Sequence, residues 1–266
     1  MRTGSLQIES LGEGRGGDLA LVHGWGLGKA VWQPVIAALS QRFRLHLVDL
    51  PGYGAFDETT LATSAGFTPT AQALVDRLPA GTALCGWSLG GLLALQATLL
   101  APRHFNRLIL VGASPCFAQR ADWRCAQPPA LLDAFGNAVA SDAPLALRRF
   151  VALLNQGDAS ARAITGRLAK LAATPPAGAT LAQGLAWLRE IDLRQALQSA
   201  ALALPALLIH GRCDTMIPYA AAEWLHGELP ISRIEIFDAA AHAPFLSDPE
   251  RFADLTADFC HAPVAD

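Results

Sequence analysis

Six short apolar runs punctuate the chain, and each ends in turn-forming residues: "LALVHGWG" (19–26), "FRLHLVDLPGYG" (43–54), "TALCGWS" (82–88), "RLILVGAS" (107–114), "PALLIHGRCD" (205–214) and "RIEIFDAAAH" (233–242). Runs that are apolar without alternation suit strands covered on both faces, as in a parallel sheet. Between most of them apolar positions recur at helical spacing, over 31–41, 68–78, 89–101, 219–228 and 248–260. Alternation of this kind predicts an α/β fold with a mostly parallel, doubly wound sheet. It breaks once. From Pro115 to about Ala200 there is only helical periodicity, interrupted by "QPP", "SDAP", "NQGD" and "TPPAGA". A structureless loop of that length is uncommon, so 115–200 is expected to be a helical lid inserted into a core made of 1–114 and 201–266. Within it Ser141 with Pro144 predicts a helix start and Gly157 a helix stop.

Composition narrows the function classes. The chain has 266 residues, 52% hydrophobic and 16% charged, with a formal net charge of −3. A large core can be filled, and a basic face that would neutralise phosphates is lacking, so no nucleic-acid partner is expected. The apolar stretch Leu89–Ala101 is too short to span a bilayer and suits a buried helix, so no membrane association is expected either. The first twenty residues hold charges and glycines with no apolar signal core. Five cysteines at scattered spacings (Cys85, Cys116, Cys125, Cys213, Cys260) give neither a disulfide framework nor a metal pattern. They read as thiols of a reducing compartment, and a cytoplasmic location is expected.

One string carries chemistry. In "CGWSLGG" (85–91) Ser88 stands between glycines, after a strand pattern and before a helical one. That is the setting a G-x-S-x-G motif requires: a strained turn that aims the serine hydroxyl away from the sheet, at the start of a helix. A helix cap alone would not explain the paired glycines. A serine needs a base. Of seven histidines, His46, His104, His226 and His261 fall within elements or near the C-terminus, His210 sits in an apolar strand, and His23 is placed to shape the "HGWG" loop. His242, after the last strand and before Pro244, is the expected base. Asp214, at the end of the preceding strand, is the expected acid that orients it, with Asp238 a secondary candidate and Asp49 assigned to a turn. The order Ser88, Asp214, His242 is that of α/β-hydrolases. Oxyanion donors are expected from the amide of Leu89 and from the loop after the first long strand, at Trp25. The same three residues serve esterases and C–C bond hydrolases or lyases, and a ligand-binding receptor on a retained hydrolase scaffold is a further possibility. An Asp at position 88 would instead have indicated dehalogenase or epoxide-hydrolase chemistry.

Over essentially its whole length the sequence resembles the α/β-hydrolase superfamily. More narrowly it resembles the pimeloyl-[acyl-carrier protein] methyl ester carboxylesterases of biotin synthesis, through "HGWGL" (23–27), "LHLVDLPGYG" (45–54), "GWSLGGL" (86–92), "SPCF" (114–117), "DLRQAL" (192–197) and "AAHAPF" (240–245). The stretch "GYGAFDETT" departs from it, lacking the small polar residue that often follows "PGxG". The resemblance implies a serine esterase with no metal or organic cofactor. Substrate contacts fall on Trp25, Leu89 and the segment Phe150, Val151, Ala152, Leu153 and Leu154. The partner it implies is an acyl carrier protein that bears the substrate. Such carriers are acidic and need a basic landing surface. The lid supplies Arg148, Arg149, Arg162, Arg167 and Lys170, of which Arg149 and Arg162 best match the family. Positions 162 and 167 are not ideally spaced for one helix face, whereas 167 and 170 are. A monomer is expected.

Overall fold

The structure is a computed structural model that describes residues 6–14, 16–54 and 66–263. The departure after Gly54, at 55–59, lies outside the described residues. Among the described residues seven strands form one sheet: β1 (Gln7–Leu11), β2 (Asp18–Val22), β3 (Arg44–Asp49), β4 (Thr82–Trp87), β5 (Phe105–Val111), β6 (Ala206–Gly211) and β7 (Ser232–Phe237). They lie in the order β1-β3-β2-β4-β5-β6-β7, with β1 antiparallel to β3 and all other pairs parallel. The six predicted apolar runs each hold a strand, but the strands stop before the turn residues: β2 ends at Val22, so "HGWG" is loop, and β4 ends at Trp87.

The first strand escaped the sequence reading for a physical reason. β1, "QIESL", is half exposed, with Glu9 and Ser10 open to solvent. An edge strand covered on one side lacks the continuous apolar run that marks its buried neighbours.

Helices α1 (Gln33–Ser40), α2 (Phe67–Arg77), α3 (Leu89–Leu100), α8 (Tyr219–Glu228) and α10 (Pro249–His261) occupy the five predicted positions. The short α9 (Pro244–Ser247) was not expected. A central place suits α3, which is buried nearly all round. α10 instead is amphipathic, opens on Pro249 and is capped by Asp248, whose Oδ1 accepts the Arg251 amide at 3.1 Å.

Between β5 and β6 the chain makes α4 (Pro129–Leu154), α5 (Ala161–Leu171), α6 (Gly178–Glu190) and α7 (Arg194–Ala200). The expected helical character begins only at Pro129: 115–128 is loop with isolated bridges such as Cys116–Asp192. α4 is bent at Asp142 (φ −153°, ψ 89°). The restart is one residue later than Ser141: Asp142 Oδ1 accepts the Leu145 amide at 2.9 Å, while Pro144, which has no amide to satisfy, fits the first turn. Past the end of α4, Gly157 takes φ 89°.

The strand order reverses direction between β2 and β4, because the chain steps outward from β2 to β3 and returns across it to β4. The crevice outside the carboxyl ends of two such strands is where open α/β sheets bind ligands. The loop after β2 and the turn carrying Ser88 both meet there.

Candidate active site

Ser88 has φ 55° and ψ −117°, one of two non-glycine residues at positive φ among the described residues. A β-carbon there is strained by roughly 1–3 kcal/mol, and the neighbouring packing holds it. A Cβ on Gly86 would run into the backbone of Gly90, and one on Gly90 into the carbonyls of Val22 and His23. Strand, turn and helix therefore pack backbone against backbone, which explains both glycines of the motif. Leu89 opens α3, so its amide is among the N–H groups the helix leaves unpaired, aimed at the same point as the helix dipole.

The Ser88 amide donates to Val111 O at 3.0 Å, and the next residue, Gly112, is the pivot of the site. At φ 47° it lies so close under the other two groups that a Cβ would come 2.9 Å from the His242 carbonyl, 3.2 Å from its Nδ1 and 3.4 Å from Asp214 Oδ2. His242 and Asp214 are buried, and His242 Nδ1 donates to Asp214 Oδ2 at 2.8 Å. With Nδ1–H committed to the carboxylate, Nε2 keeps the lone pair that a base requires. Asp214 Oδ1 accepts the amides of Met216 (2.8 Å) and Ile217 (2.9 Å). Burial works to raise the Asp214 pKa, but His242, His210 and the Ile217 amide together outweigh it and hold the carboxyl below its ordinary value. His210 is a buried strand residue, as expected, with a place beside the acid: its Nε2 donates to Ile217 O at 2.9 Å and lies 3.6 Å from Asp214 Oδ2.

The competing candidates separate cleanly. His23 Nε2 accepts the Leu50 amide at 3.1 Å, so Nδ1–H donates to Gly24 O at 2.7 Å. Both ring nitrogens are used on the loop, and burial lowers its pKa. Asp238 is an exposed partner of Arg212. Asp49 accepts the Lys29 amide at 2.6 Å and pairs with the Lys29 ammonium at 3.3 Å, tying the turn after β3 to the chain past the glycine loop. His46 bridges Ser10 Oγ (2.9 Å) and Asp18 Oδ1 (2.6 Å), a second Ser–His–Asp set that joins β1, β3 and the start of β2 at the sheet edge.

Trp25 is buried and roofs the crevice: its Nε1 donates to Leu181 O at 2.8 Å and its ring meets Phe150 edge-on at 4.8 Å. Gly184 of α6 lies against the same indole, with Leu89 beside it. Of the segment after Arg149, Phe150, Val151 and Leu154 are buried, whereas Ala152 and Leu153 are exposed. The Leu154 carbonyl accepts the His242 amide at 3.2 Å. Arg162, Arg167 and Lys170 share one shallow groove with Ala163 and Gly166. The groove spans two rows of α5, 162, 166 and 170 in one and 163 and 167 in the other, so 162 and 167 line it together although they are not ideally spaced for one face. Arg149 is exposed on α4.

Two site residues were not singled out from sequence. Trp87 donates from Nε1 to the His242 carbonyl at 2.8 Å, pinning the loop that carries it, and Gly112 makes room for the His–Asp pair. The only sequence signals were the tryptophan before the serine and the glycine closing "LILVG".

The chain belongs to the alpha/beta hydrolase family, whose model matches residues 19–255. Within it the chain is a carboxylic ester hydrolase, in line with curated relatives named esterases. The chain is 42% identical to the pimeloyl-[acyl-carrier protein] methyl ester esterase of Nitrosomonas europaea, over 93% of this chain and 96% of that protein. It is 40% identical to the protein of the same name from Photobacterium profundum, again over 93% and 96%. Among solved structures it superposes on an esterase from Exiguobacterium antarcticum with a TM-score of 0.86 and 26% identity, covering 97% of this chain and 96% of that one.

Proposed function

We propose that the chain is a serine carboxylesterase that hydrolyses the methyl ester of pimeloyl-[acyl-carrier protein] in the cytoplasm, completing the pimeloyl chain for biotin synthesis. One observation carries the chemical half of this reading: Ser88 on a strained turn at the start of α3, with an Asp214-oriented imidazole packed over the adjoining Gly112. The named relatives support the substrate. Among the described residues no helix is long and apolar enough to cross a membrane.

Ser88 Oγ attacks the ester carbonyl while His242 Nε2 takes its proton. The oxyanion of the tetrahedral intermediate is stabilised by the Leu89 amide and by the Trp25 amide in the loop after β2. Collapse passes the proton from His242 to the leaving methoxide, releasing methanol and leaving a pimeloyl ester on Ser88. Water, deprotonated by His242, attacks that ester, and the free carboxylate departs with Ser88 restored. Trp25 and Phe150 give the acyl chain an apolar entrance, and the α5 groove with Arg162, and Arg149 on α4, offer positive charge to an acidic carrier.

The test is an assay of purified protein on carrier-bound methyl pimelate, with methanol release followed directly. Turnover that outpaces that of free dimethyl pimelate at equal concentration supports the carrier-bound ester as substrate. Turnover of the free diester alone would leave an esterase of a different substrate class.

A further inference from the structure

We propose that Asp158, in the turn between α4 and α5, is a positioning residue that holds the base-bearing loop in its working place. It sits more than eighty residues from that loop in sequence, and three hydrogen bonds join the end of α4 and this turn to the loop. The His242 amide donates to Leu154 O at 3.2 Å, the Ala159 amide donates to Ala239 O at 2.9 Å, and the Ala241 amide donates to Asp158 Oδ2 at 2.9 Å. The third contact is the only one of these made by a side chain, so it is the one that a substitution can remove.

The Asp158 carboxylate is nearly out of solvent and fully used. Oδ2 also accepts the hydroxyl of Ser247, in α9 just past the base, and Oδ1 accepts the Ser160 amide at 2.7 Å. It therefore ties 241 and 247, on both sides of His242, to the turn that opens α5. Charge-assisted bonds of this kind are about twice as strong as neutral ones. On the other side the loop is held by Trp87 Nε1 on the His242 carbonyl. The imidazole thus hangs between a fixed point of the sheet and a fixed point of the helical insert. Losing the insert's hold would let His242 drift by a fraction of an ångström, enough to cost rate without altering where substrate binds.

This inference rests on the proposed role of His242 as base. The expected result for Asp158→Ala is a fall in kcat on p-nitrophenyl butyrate of about ten- to a hundredfold with KM within about twofold. Rates are taken per active site, counted by the final extent of fluorophosphonate labelling. Asp158→Asn, which keeps one acceptor oxygen, recovers part of the loss. Hydrogen exchange reads the clasp without catalysis: the amides of Ala241 and His242 exchange faster in Asp158→Ala while those of β4 do not change. Unchanged kcat per active site, or unchanged exchange at 241 and 242, would overturn the proposal. If the unsubstituted protein hydrolysed no ester, the esterase reading would fall, and the exchange result would still decide whether Asp158 holds the loop.

Discussion

A single serine hydroxyl is chemically ordinary until its backbone is forced into a conformation it would otherwise avoid, and Ser88 is such a case. Replacing it with alanine is expected to lower esterase kcat by about three or more orders of magnitude, with the far-ultraviolet circular dichroism spectrum unchanged; retention of a tenth of the activity would remove it as nucleophile. Gly112→Ala is the complementary case. Its new methyl would meet the His242 carbonyl and imidazole in a left-handed backbone, so both stability and kcat should fall. The stability loss, about 1–3 kcal/mol for overpacking a closed site, is checked by urea denaturation. Asp214 makes a prediction about acid. Its native carboxyl is held below its ordinary value, so between the unfolded and the native pKa the unfolded chain binds the extra proton. The stability this supplies is complete above the ordinary carboxylate range and is lost as pH falls through the native value. Asp214→Asn should accordingly flatten the acid limb of a stability–pH curve, and an unaltered limb would show that the carboxyl contributes nothing there. Ser88, Asp214 and His242 were legible because each follows an apolar run in hydrolase order. Trp87, Gly112 and Asp158 were not, since what they do depends on contacts with the His242 loop that no local pattern encodes.

At the scale of elements, the strands and helices legible from periodicity are those whose faces are wholly covered or strongly two-sided. β4 and α3 are apolar throughout and α10 is amphipathic, whereas β1 is a half-exposed edge that no run announces. Helix α5 carries the proposed landing surface. Its exposed face gathers Arg162, Arg167 and Lys170 around Gly166, and only Asp158, whose carboxylate is committed inward, lies near them in sequence. Charge reversal at Arg149 and Arg162 is expected to raise KM for a carrier-bound pimeloyl methyl ester several-fold and to leave a small free ester nearly unchanged. The difference should shrink with added salt, because steering between exposed charges is screened within about 10 Å at 0.1 M ionic strength. Equal losses on both substrates would make the arginines supports of the insert and not a landing surface.

The molecule as a whole brings three separate parts to one crevice. The sheet delivers Ser88 and the glycine loop at the point where strand order reverses, β6 and the segment after β7 deliver the proposed acid and base, and the insert closes over them with Phe150 and Leu181 on Trp25 of that loop and Leu154 on His242. That arrangement was readable in outline because hydrolase chain order places each group at a strand's carboxyl end. The insert's seating was not, because helices packed through a tryptophan and a glycine leave no period in the sequence. The central claim is that Ser88 is the group acylated during turnover. It is tested most directly by treating the intact protein with a fluorophosphonate and mapping the adduct by peptide mass spectrometry. The expected result is one adduct per chain, on the peptide containing Ser88, formed in step with loss of esterase activity. An adduct on another serine, such as Ser10 beside His46, with activity lost in proportion, would contradict it.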